Sequence, residues 1–218
     1  MPRLLNVDIP VAHGMLEGLL RLPDSDNAPP SMAAVVCHPH PQFGGTMHNK
    51  VVFRIAQALV DLKIPALRFN FRGVGRSTGS YDEGRGEADD VRAALDEMAR
   101  RYAGVPLCLT GFSFGTWVGL PVGCEDVRVR QIVGVGVPVS LLEARSLTDC
   151  NKPKLIVQGE FDQYGPLPEL RQWYEQVPEP KSLHIVPGAD HFFTNYQTEL
   201  YEAISSYFQP ENAASSSM

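Results

Sequence analysis

The sequence has no apolar stretch that approaches the roughly 18 consecutive residues of a membrane-spanning helix. Near the N-terminus, Asp8, Pro10 and Gly14 interrupt the apolar residues that a signal-peptide h-region would need. We therefore expect a cytoplasmic protein with no membrane partner.

The chain also lacks an excess of positive charge, because its formal net charge is −6 over 218 residues. Proteins that bind nucleic acids need clustered Lys and Arg side chains to neutralise phosphates. The groups Arg68, Arg72 and Arg76, and Arg100 with Arg101, are small, and we expect them to be solvated or salt-bridged on the surface. No nucleic-acid partner is expected.

Cysteine is scarce, and the four cysteines form no CxxC or zinc-binding spacing. Cys37 and Cys108 lie within apolar runs, where a free thiol packs as a small hydrophobic side chain. We expect these two, and also Cys124 and Cys150, to be reduced thiols. The sequence predicts no metal ion and no cofactor.

The chain does contain a regular alternation of apolar strands and amphipathic helices. Two antiparallel strands are predicted at residues 4–9 and 15–22, joined by a turn that contains glycine. Further strands are predicted at residues 33–38, 65–71, 105–111, 132–139, 154–160 and 182–188. Helices are predicted at residues 50–61 and 86–101, after Ser113, near 168–176, and at 195–208.

Strands that are apolar throughout imply a mostly parallel sheet with helices on both faces. Right-handed crossovers make it a doubly wound α/β sheet, in which ligands bind beyond the carboxyl ends of the strands. We expect one domain over residues 1–209 and a disordered tail at residues 210–218, which are mostly small and polar. Segment 138–152 is too short for a substantial cap domain, which predicts an open, shallow site.

The segment Gly111-Phe112-Ser113-Phe114-Gly115 matches G-x-S-x-G between a predicted strand and a predicted helix, the context of a nucleophile elbow. A serine at such a turn has strained backbone angles, and the flanking glycines leave room for them. The helix N-terminus behind the hydroxyl favours developing negative charge. Ser113 is therefore the predicted nucleophile.

A serine hydroxyl is a poor nucleophile and needs a general base. Among six histidines, His191 directly follows the last predicted strand and so lies at the same sheet edge as Ser113. By contrast, His184 lies within that strand and His13 lies near the start of the chain. We predict His191 as the base.

The base needs a carboxylate to orient it, and Asp162 lies in a loop at the same sheet edge. The chain order Ser113, Asp162, His191 is the order of hydrolases with a nucleophile elbow. Glu160 is a competitor closer to the strand body, and Asp190 adjoins the histidine itself. The structural alternative for Asp162 is an Asx-turn. We predict Asp162 as the orienting group.

An oxyanion hole needs backbone N–H donors that converge on one point. Phe114, directly after the nucleophile, is one predicted donor, and the loop after the first parallel strand supplies the other. In that loop Pro39 and Pro41 have no N–H, which leaves His40 as the first choice and Gln42 as the second. We predict that the substrate contacts apolar side chains and also glycines that let it approach the backbone closely. These residues are Phe43, Gly44, Gly45, Phe112 and Phe192.

Two rival interpretations concern neighbouring motifs. His38-x-His40 would hold a metal ion if both rings shared one face of a strand, but no third ligand lies close in sequence. Gly73-x-Gly75 with Gly79 follows a strand, as a nucleotide loop does, but lacks the G-x-G-x-x-G spacing. A structural turn is the favoured interpretation there.

Five motifs together resemble a group of compact bacterial α/β-hydrolases related to dienelactone-hydrolase-like and peptidase-like enzymes. They are HPHPQFGGTMHNKVV, LRFNFRGVGRSTGSYDEGRGEADD, TGFSFG, VQGEFD and GADHFF. The resemblance implies an α/β-hydrolase fold, carboxylesterase-like chemistry, a triad of Ser113, Asp162 and His191, and an oxyanion loop at residues 38–45.

The motifs and the resemblance predict a serine hydrolase that cleaves a small or short-chain carboxylic ester through an acyl-enzyme. A small-molecule acyl substrate is the expected partner. Thioesterase, peptidase or acyl-transferase activity on the same three residues stays open, as does a non-catalytic binding role, because a fold alone does not decide between them. For the oligomeric state, a monomer and a homodimer both agree with the sequence.

Overall fold

A computed structural model describes residues 3–24, 29–140, 147 and 149–209. Its strands form one eight-stranded sheet in the order β1-β2-β4-β3-β5-β6-β7-β8. The strands are β1 (Arg3–Val11), β2 (Gly14–Leu22), β3 (Ala33–Cys37), β4 (Ala66–Phe69), β5 (Leu107–Phe112), β6 (Val129–Val135), β7 (Lys154–Gly159) and β8 (Lys181–Val186). The α-helices are α1 (Lys50–Asp61), α2 (Arg85–Arg101), α3 (Phe114–Glu125), α4 (Leu167–Gln176) and α5 (Gln197–Tyr207).

The sheet is mostly parallel with an antiparallel beginning, as predicted. β1 and β2 form a hairpin, β2 pairs antiparallel with β4, and the remaining neighbours are parallel. The carboxyl ends of β3, β5, β6, β7 and β8 therefore meet at one edge of the sheet, and the loops after them can converge there.

Helices cover both faces of the sheet, which explains why its central strands are apolar throughout. Val35 packs in a core with α2 and α3, whereas its neighbours Ala34 and Val36 pack in a second core with α1 and α5. Successive strand residues point to opposite faces, so a strand between two helical layers needs apolar residues at every position.

Two expectations concern residues outside the described part of the chain. The predicted tail at 210–218 lies there, and so do residues 141–146 and 148 of the segment that was judged too short for a cap. Within the described ranges, no helix combines the length and apolar character needed to cross a membrane.

The expectation that the arginine clusters lie on the surface is wrong for Arg68. It lies on the central strand β4, is 3% exposed, and donates from Nη1 to the carbonyl of Met47 at 2.9 Å. Burial lowers the pKa of Arg68 to about 10. Arg72 and Arg76 do form salt bridges, with Asp90 and with Glu17.

Two further predictions differ from the structure. Cys124 and Cys150 form a disulfide, with Cα atoms 5.4 Å apart, so the expectation of four reduced thiols is wrong. Cys37 and Cys108 are free and buried, as expected, and burial raises the pKa of both thiols. Strand β6 ends at Val135 instead of residue 139, because Gly136 turns the chain with a φ of 57°.

Candidate active site

Ser113 occupies the turn between β5 and α3, with φ 54° and ψ −119°. These angles lie in a sparsely populated region for a residue with a Cβ, and such strain tends to cluster at functional sites. Glycines make the turn possible: a Cβ on Gly111 would collide with the carbonyl of Gly115, and a Cβ on Gly115 would lie 2.5 Å from the carbonyl oxygen of Cys37. The G-x-S-x-G pattern is thus required by local packing.

His191 lies in the loop after β8 and is almost completely buried. Its Nε2 is 2.9 Å from the hydroxyl oxygen of Ser113, and its Nδ1 is 2.8 Å from Oδ2 of Asp162. A carboxylate only accepts hydrogen bonds, so Nδ1 carries a proton, and in the neutral ring Nε2 is left to accept from the serine hydroxyl. The three predicted side chains therefore form one continuous hydrogen-bonded chain.

Asp162 lies in the loop after β7, where four donors surround its carboxylate. Oδ2 accepts from His191 Nδ1 and from Gln158 Nε2, the latter at 2.9 Å. Oδ1 accepts from the backbone N–H groups of Tyr164 and Gly165, at 2.8 and 3.0 Å. The Asx-turn and the orienting contact to the imidazole, weighed as alternatives from the sequence, are both present.

Gln158 was not identified from the sequence. It lies on β7, fully buried, where its amide also donates to the carbonyl of Gly165 while its oxygen accepts from the N–H of Val137. It therefore ties the Asp162 carboxylate to the loops after β6 and β7. The only available signal was its own long polar side chain, directly after the apolar residues 155–157 of β7.

The competing acids and histidines have other partners. Glu160 accepts from the N–H of Gly188 at 2.8 Å, and Asp190 accepts from both the N–H and the hydroxyl of Thr194. His184 is exposed on the edge strand β8, and His13 lies 3.9 Å from Asp90. None of these four side chains is hydrogen-bonded to Ser113 in the described part of the chain.

Neither the backbone N–H of Phe114, directly after Ser113, nor that of His40, in the loop after β3, has an acceptor among the described residues. They were the first-choice donors for an oxyanion. The N–H of Gln42, the second choice in the loop after β3, donates to Nδ1 of His40 at 3.3 Å, and its part in an oxyanion hole stays a prediction.

The His40 ring joins an aromatic cluster beside these donors. Its centroid is 4.6 Å from the ring of Phe43 and 4.8 Å from that of Phe114, and Nε2 lies 3.3 Å from the hydroxyl of Tyr81. Partial burial lowers the pKa of His40. Because Nδ1 accepts from Gln42, Nε2 carries the proton of the neutral ring and donates to Tyr81.

His38 serves the backbone of the same loop. Its Nδ1 donates to the carbonyl of Pro39 at 2.6 Å, and its Nε2 accepts from the N–H of Phe71 at 3.0 Å. Complete burial lowers the pKa of His38 to about 4. Both nitrogens are therefore occupied, and among the described residues no group of three His, Cys, Asp or Glu side chains could hold a metal ion.

The predicted substrate contacts divide into two groups. Phe43, Gly44 and Phe192 are exposed, and Gly44 has a φ of 77° with open space beside its Cα. Phe112 and Gly45 are buried, and their contact with substrate stays a prediction. The ring of Phe112 packs 5.1 Å from that of His191, and Gly45 packs against the carbonyls of Pro39 and His40.

Four exposed aromatic side chains lie in the loops that carry the predicted site residues, and we call them the aromatic rim. Each lies within three residues of a predicted site residue, and the rings of Tyr164 and Phe192 are 4.6 and 5.1 Å from the imidazole of His191. The members of the rim are Phe43, Phe161, Tyr164 and Phe192.

The glycine-rich segment after β4 is a turn held against the N-terminal hairpin. The N–H of Thr78 donates to the carbonyl of Met15 at 2.9 Å, and a Cβ on Gly75 would lie 2.5 Å from side-chain atoms of Asn70 and Glu17. These glycines therefore serve close packing, which agrees with the interpretation as a structural turn.

Comparison with known proteins extends these observations. A family model described as an alpha/beta hydrolase domain matches residues 33–209. The chain is 34% identical over 204 residues to an uncharacterised protein of Rickettsia prowazekii, covering 89% of this chain and 84% of that protein.

Two solved structures are similar over most of their length. One is an alpha-beta serine hydrolase homologue from Coxiella burnetii, with 35% identity, a TM-score of 0.85, and 94% of this chain and 97% of that chain covered. The other is an a/b serine hydrolase without lid from Xanthomonas campestris, with 32% identity, a TM-score of 0.86, and 94% and 93% covered.

Proposed function

This chain belongs to the family of alpha/beta hydrolase domains, and we propose that it is a serine hydrolase that cleaves small or short-chain carboxylic esters through an acyl-enzyme. One observation carries the proposal: the hydroxyl of Ser113, the imidazole of His191 and the carboxylate of Asp162 are joined by hydrogen bonds of 2.9 and 2.8 Å. This is the arrangement that activates a serine for acyl transfer.

In the acylation step, Ser113 Oγ attacks the ester carbonyl while Nε2 of His191 takes the hydroxyl proton. Asp162 fixes the tautomer of the imidazole and stabilises the imidazolium that forms. The N–H groups of Phe114 and His40 bind the oxygen that becomes negatively charged, and the imidazolium then returns its proton to the leaving alcohol.

In the deacylation step, water replaces the alcohol at the acyl-enzyme. His191 takes a proton from this water as it attacks the acyl carbonyl, and the same two N–H groups bind the second oxyanion. The C–O bond to Ser113 then breaks, the serine recovers its proton from the imidazolium, and the carboxylic acid leaves.

The preference for small substrates is supported by the exposure of the aromatic rim. Phe43 is 84% exposed, so a long acyl chain bound there would remain largely in water and gain little from burial. The similar Xanthomonas campestris protein is a serine hydrolase without lid. A lidless site suits soluble esters better than emulsified triglycerides.

A panel of substrates tests this function. We expect hydrolysis of p-nitrophenyl esters to be fastest for acetate and butyrate and much slower for palmitate, and to be lost in Ser113→Ala. Parallel assays with thioester and peptide substrates show which type of acyl bond is cleaved fastest. Faster cleavage of a thioester or a peptide would overturn the ester assignment, and no cleavage of any substrate would favour a binding role.

Location and assembly remain predictions. The cytoplasmic location rests on sequence patterns alone, and the disulfide between Cys124 and Cys150 weighs against it because such bonds are typical of oxidising compartments. The absence of nucleic-acid and membrane partners likewise remains a prediction, and so does the choice between monomer and homodimer.

A further inference from the structure

A cavity of about 580 Å³ opens beside the candidate active site. One wall is segment 46–51, which directly follows Gly45 at the end of the oxyanion loop. The other wall comes from residues 192–197, which directly follow His191. Both walls therefore continue the loops that carry predicted site residues, and Phe192, which lines the cavity, has its ring 5.1 Å from the imidazole of His191.

Most of the residues that line this cavity are polar, Val51 and Phe192 being the apolar ones, and none of them is a carboxylate. Its charged member is Lys50, with His48 beside it; the remaining described members are Thr46, Asn49, Val51, Phe192, Thr194, Asn195 and Gln197. The chain as a whole carries a net charge of −6, so a site lined by a cation without an acid is unlike its average surface.

Hydrogen bonds within the walls determine which polar groups face a ligand. Oδ1 of Asn49 accepts from the N–H groups of Val51 and Val52, which leaves its NH₂ group as a donor. The Lys50 side chain is exposed, and no carboxylate of the described residues lines the cavity beside it. Asp190 contacts the wall through Thr194 but is not itself part of the lining.

We propose that this cavity binds an anionic group, a carboxylate or a phosphate, carried by the half of the substrate that extends from Ser113 along the start of α1. The inference rests on the proposed esterase function and narrows its substrate class to small esters with one charged end. Phe192 lies between the candidate active site and the cavity: its ring is 5.1 Å from the imidazole of His191, and the same residue lines the cavity. Lys50 supplies the countercharge, and the NH₂ group of Asn49 supplies a directed hydrogen bond.

A ratio of specificity constants tests the proposal. Monophenyl adipate carries an anion on its acyl half, acetylated 4-hydroxybenzoate carries one on its alcohol half, and the methyl esters of both carboxylates are the neutral partners. For each pair, kcat/KM of the anionic ester is divided by that of the neutral ester. In Lys50→Glu we expect this ratio to fall about 10-fold for one of the two pairs, because an attraction at the surface becomes a repulsion.

Arg130→Glu is the matched control, because it changes the net charge equally at an exposed position on β6, at the opposite edge of the sheet. Its ratio should stay within about 2-fold of the native value, since exposed charges beyond a Debye length are screened. The Lys50 variant should fold, because a glutamate in the first turn of a helix is favourable. An unchanged ratio for both pairs in Lys50→Glu, or an equal fall in Arg130→Glu, would overturn the proposal.

A binding measurement separates this inference from the esterase function. Adipate added to the native protein should shift the amide NMR signals of Asn49, Asn195 and Gln197, and Lys50→Glu should abolish those shifts. No shift in the native protein refutes the anion site even if neutral esters are hydrolysed. Shifts without any ester hydrolysis support the anion site while refuting the esterase function.

Discussion

Phe161 and Asp162 are neighbours in the chain, yet Phe161 is 68% exposed and Asp162 is 2% exposed. The carboxylate of Asp162 accepts four hydrogen bonds, while the ring of Phe161 lies mostly in solvent. The same contrast separates the aromatic rim from the floor of the site, which we define as Ser113, Gln158, Asp162 and His191.

This contrast shows how one loop can serve two purposes. On the floor, each polar atom has a fixed partner, so a substitution moves a charge or leaves a buried group unpaired. On the rim, side chains have few partners to lose, so a substitution changes what binds more than whether the chain folds. The predictions below test this division, beginning with the largest expected effect.

The Asp162 carboxylate should matter more for catalysis than any other acid near the site. In Asp162→Asn we expect kcat on p-nitrophenyl acetate to fall by about 10³- to 10⁴-fold, because an amide no longer enforces the productive tautomer of His191. The control is Asp190→Asn, which alters only the bonds to Thr194 and should keep kcat within about 3-fold. A loss below about 10-fold in Asp162→Asn would contradict the role assigned to the floor.

Two phenylalanines sharpen the comparison for stability. Phe112 is fully buried against His191, so Phe112→Ala should lower the free energy of unfolding by about 3–5 kcal/mol. Phe161→Ala should change it by no more than about 0.5 kcal/mol, because little of that ring is removed from water on folding. Urea unfolding of both variants measures the difference, and equal losses would show that the rim is part of the core.

His38 makes stability depend on pH. Burial lowers its pKa from an ordinary value of 6.5 to about 4. Between these two values the unfolded chain binds a proton that the folded chain excludes, so folding stability falls as the pH drops through this window. From about pH 7.5 to about pH 5 this residue alone should cost about 2 kcal/mol.

His38→Gln isolates that contribution. A glutamine can still accept from the N–H of Phe71 but does not titrate, and every other ionisable group is shared with the native chain. The native protein should therefore lose about 2 kcal/mol more than the variant between the two pH values in urea unfolding. Equal losses would show that His38 is protonated in the folded protein at the lower pH.

Gln158 should have a smaller effect on the reaction, together with a change in its pH profile. Gln158→Met removes the amide that donates to Asp162 at 2.9 Å, and we expect kcat/KM to fall about 10-fold. The acid limb of the kcat/KM profile should move to higher pH, because a carboxylate that loses a donor attracts the imidazole proton more strongly.

Thr110→Val is the control for Gln158→Met, because it also deletes a buried polar group but one that donates only to the carbonyl of Val35. Its acid limb should not move. If both variants lose activity with unshifted profiles, Gln158 contributes only to packing.

The sequence predicted the fold well wherever a strong local signal agreed with tertiary packing. Helix α1 was predicted at residues 50–61 and spans Lys50–Asp61, because its apolar periodicity begins beside a good N-cap: the side chain of Asn49 accepts from the N–H of Val51. Chain order and sheet-edge placement were sufficient to predict that Ser113, Asp162 and His191 would meet, because parallel strands bring their following loops to one edge.

The failures concern information that no local pattern contains. The partners of Gln158 come from the loops after β6 and β7, so a lone glutamine in an apolar run gives no indication of them. The cysteines of the disulfide are 26 positions apart, so their pairing depends on the tertiary fold and leaves no local spacing to recognise. Phe112 was expected as an apolar wall of the site, and no pattern in the sequence indicated that its ring packs against the imidazole of His191 at 5.1 Å.

The most direct test of the central claim is labelling by a fluorophosphonate, followed by intact-mass spectrometry and peptide mapping. If Ser113, His191 and Asp162 form a working unit, the native chain gains a single adduct on Ser113, Ser113→Ala gains none, and Asp162→Asn reacts far more slowly. An unlabelled native chain, or an adduct that persists in Ser113→Ala, would contradict the account.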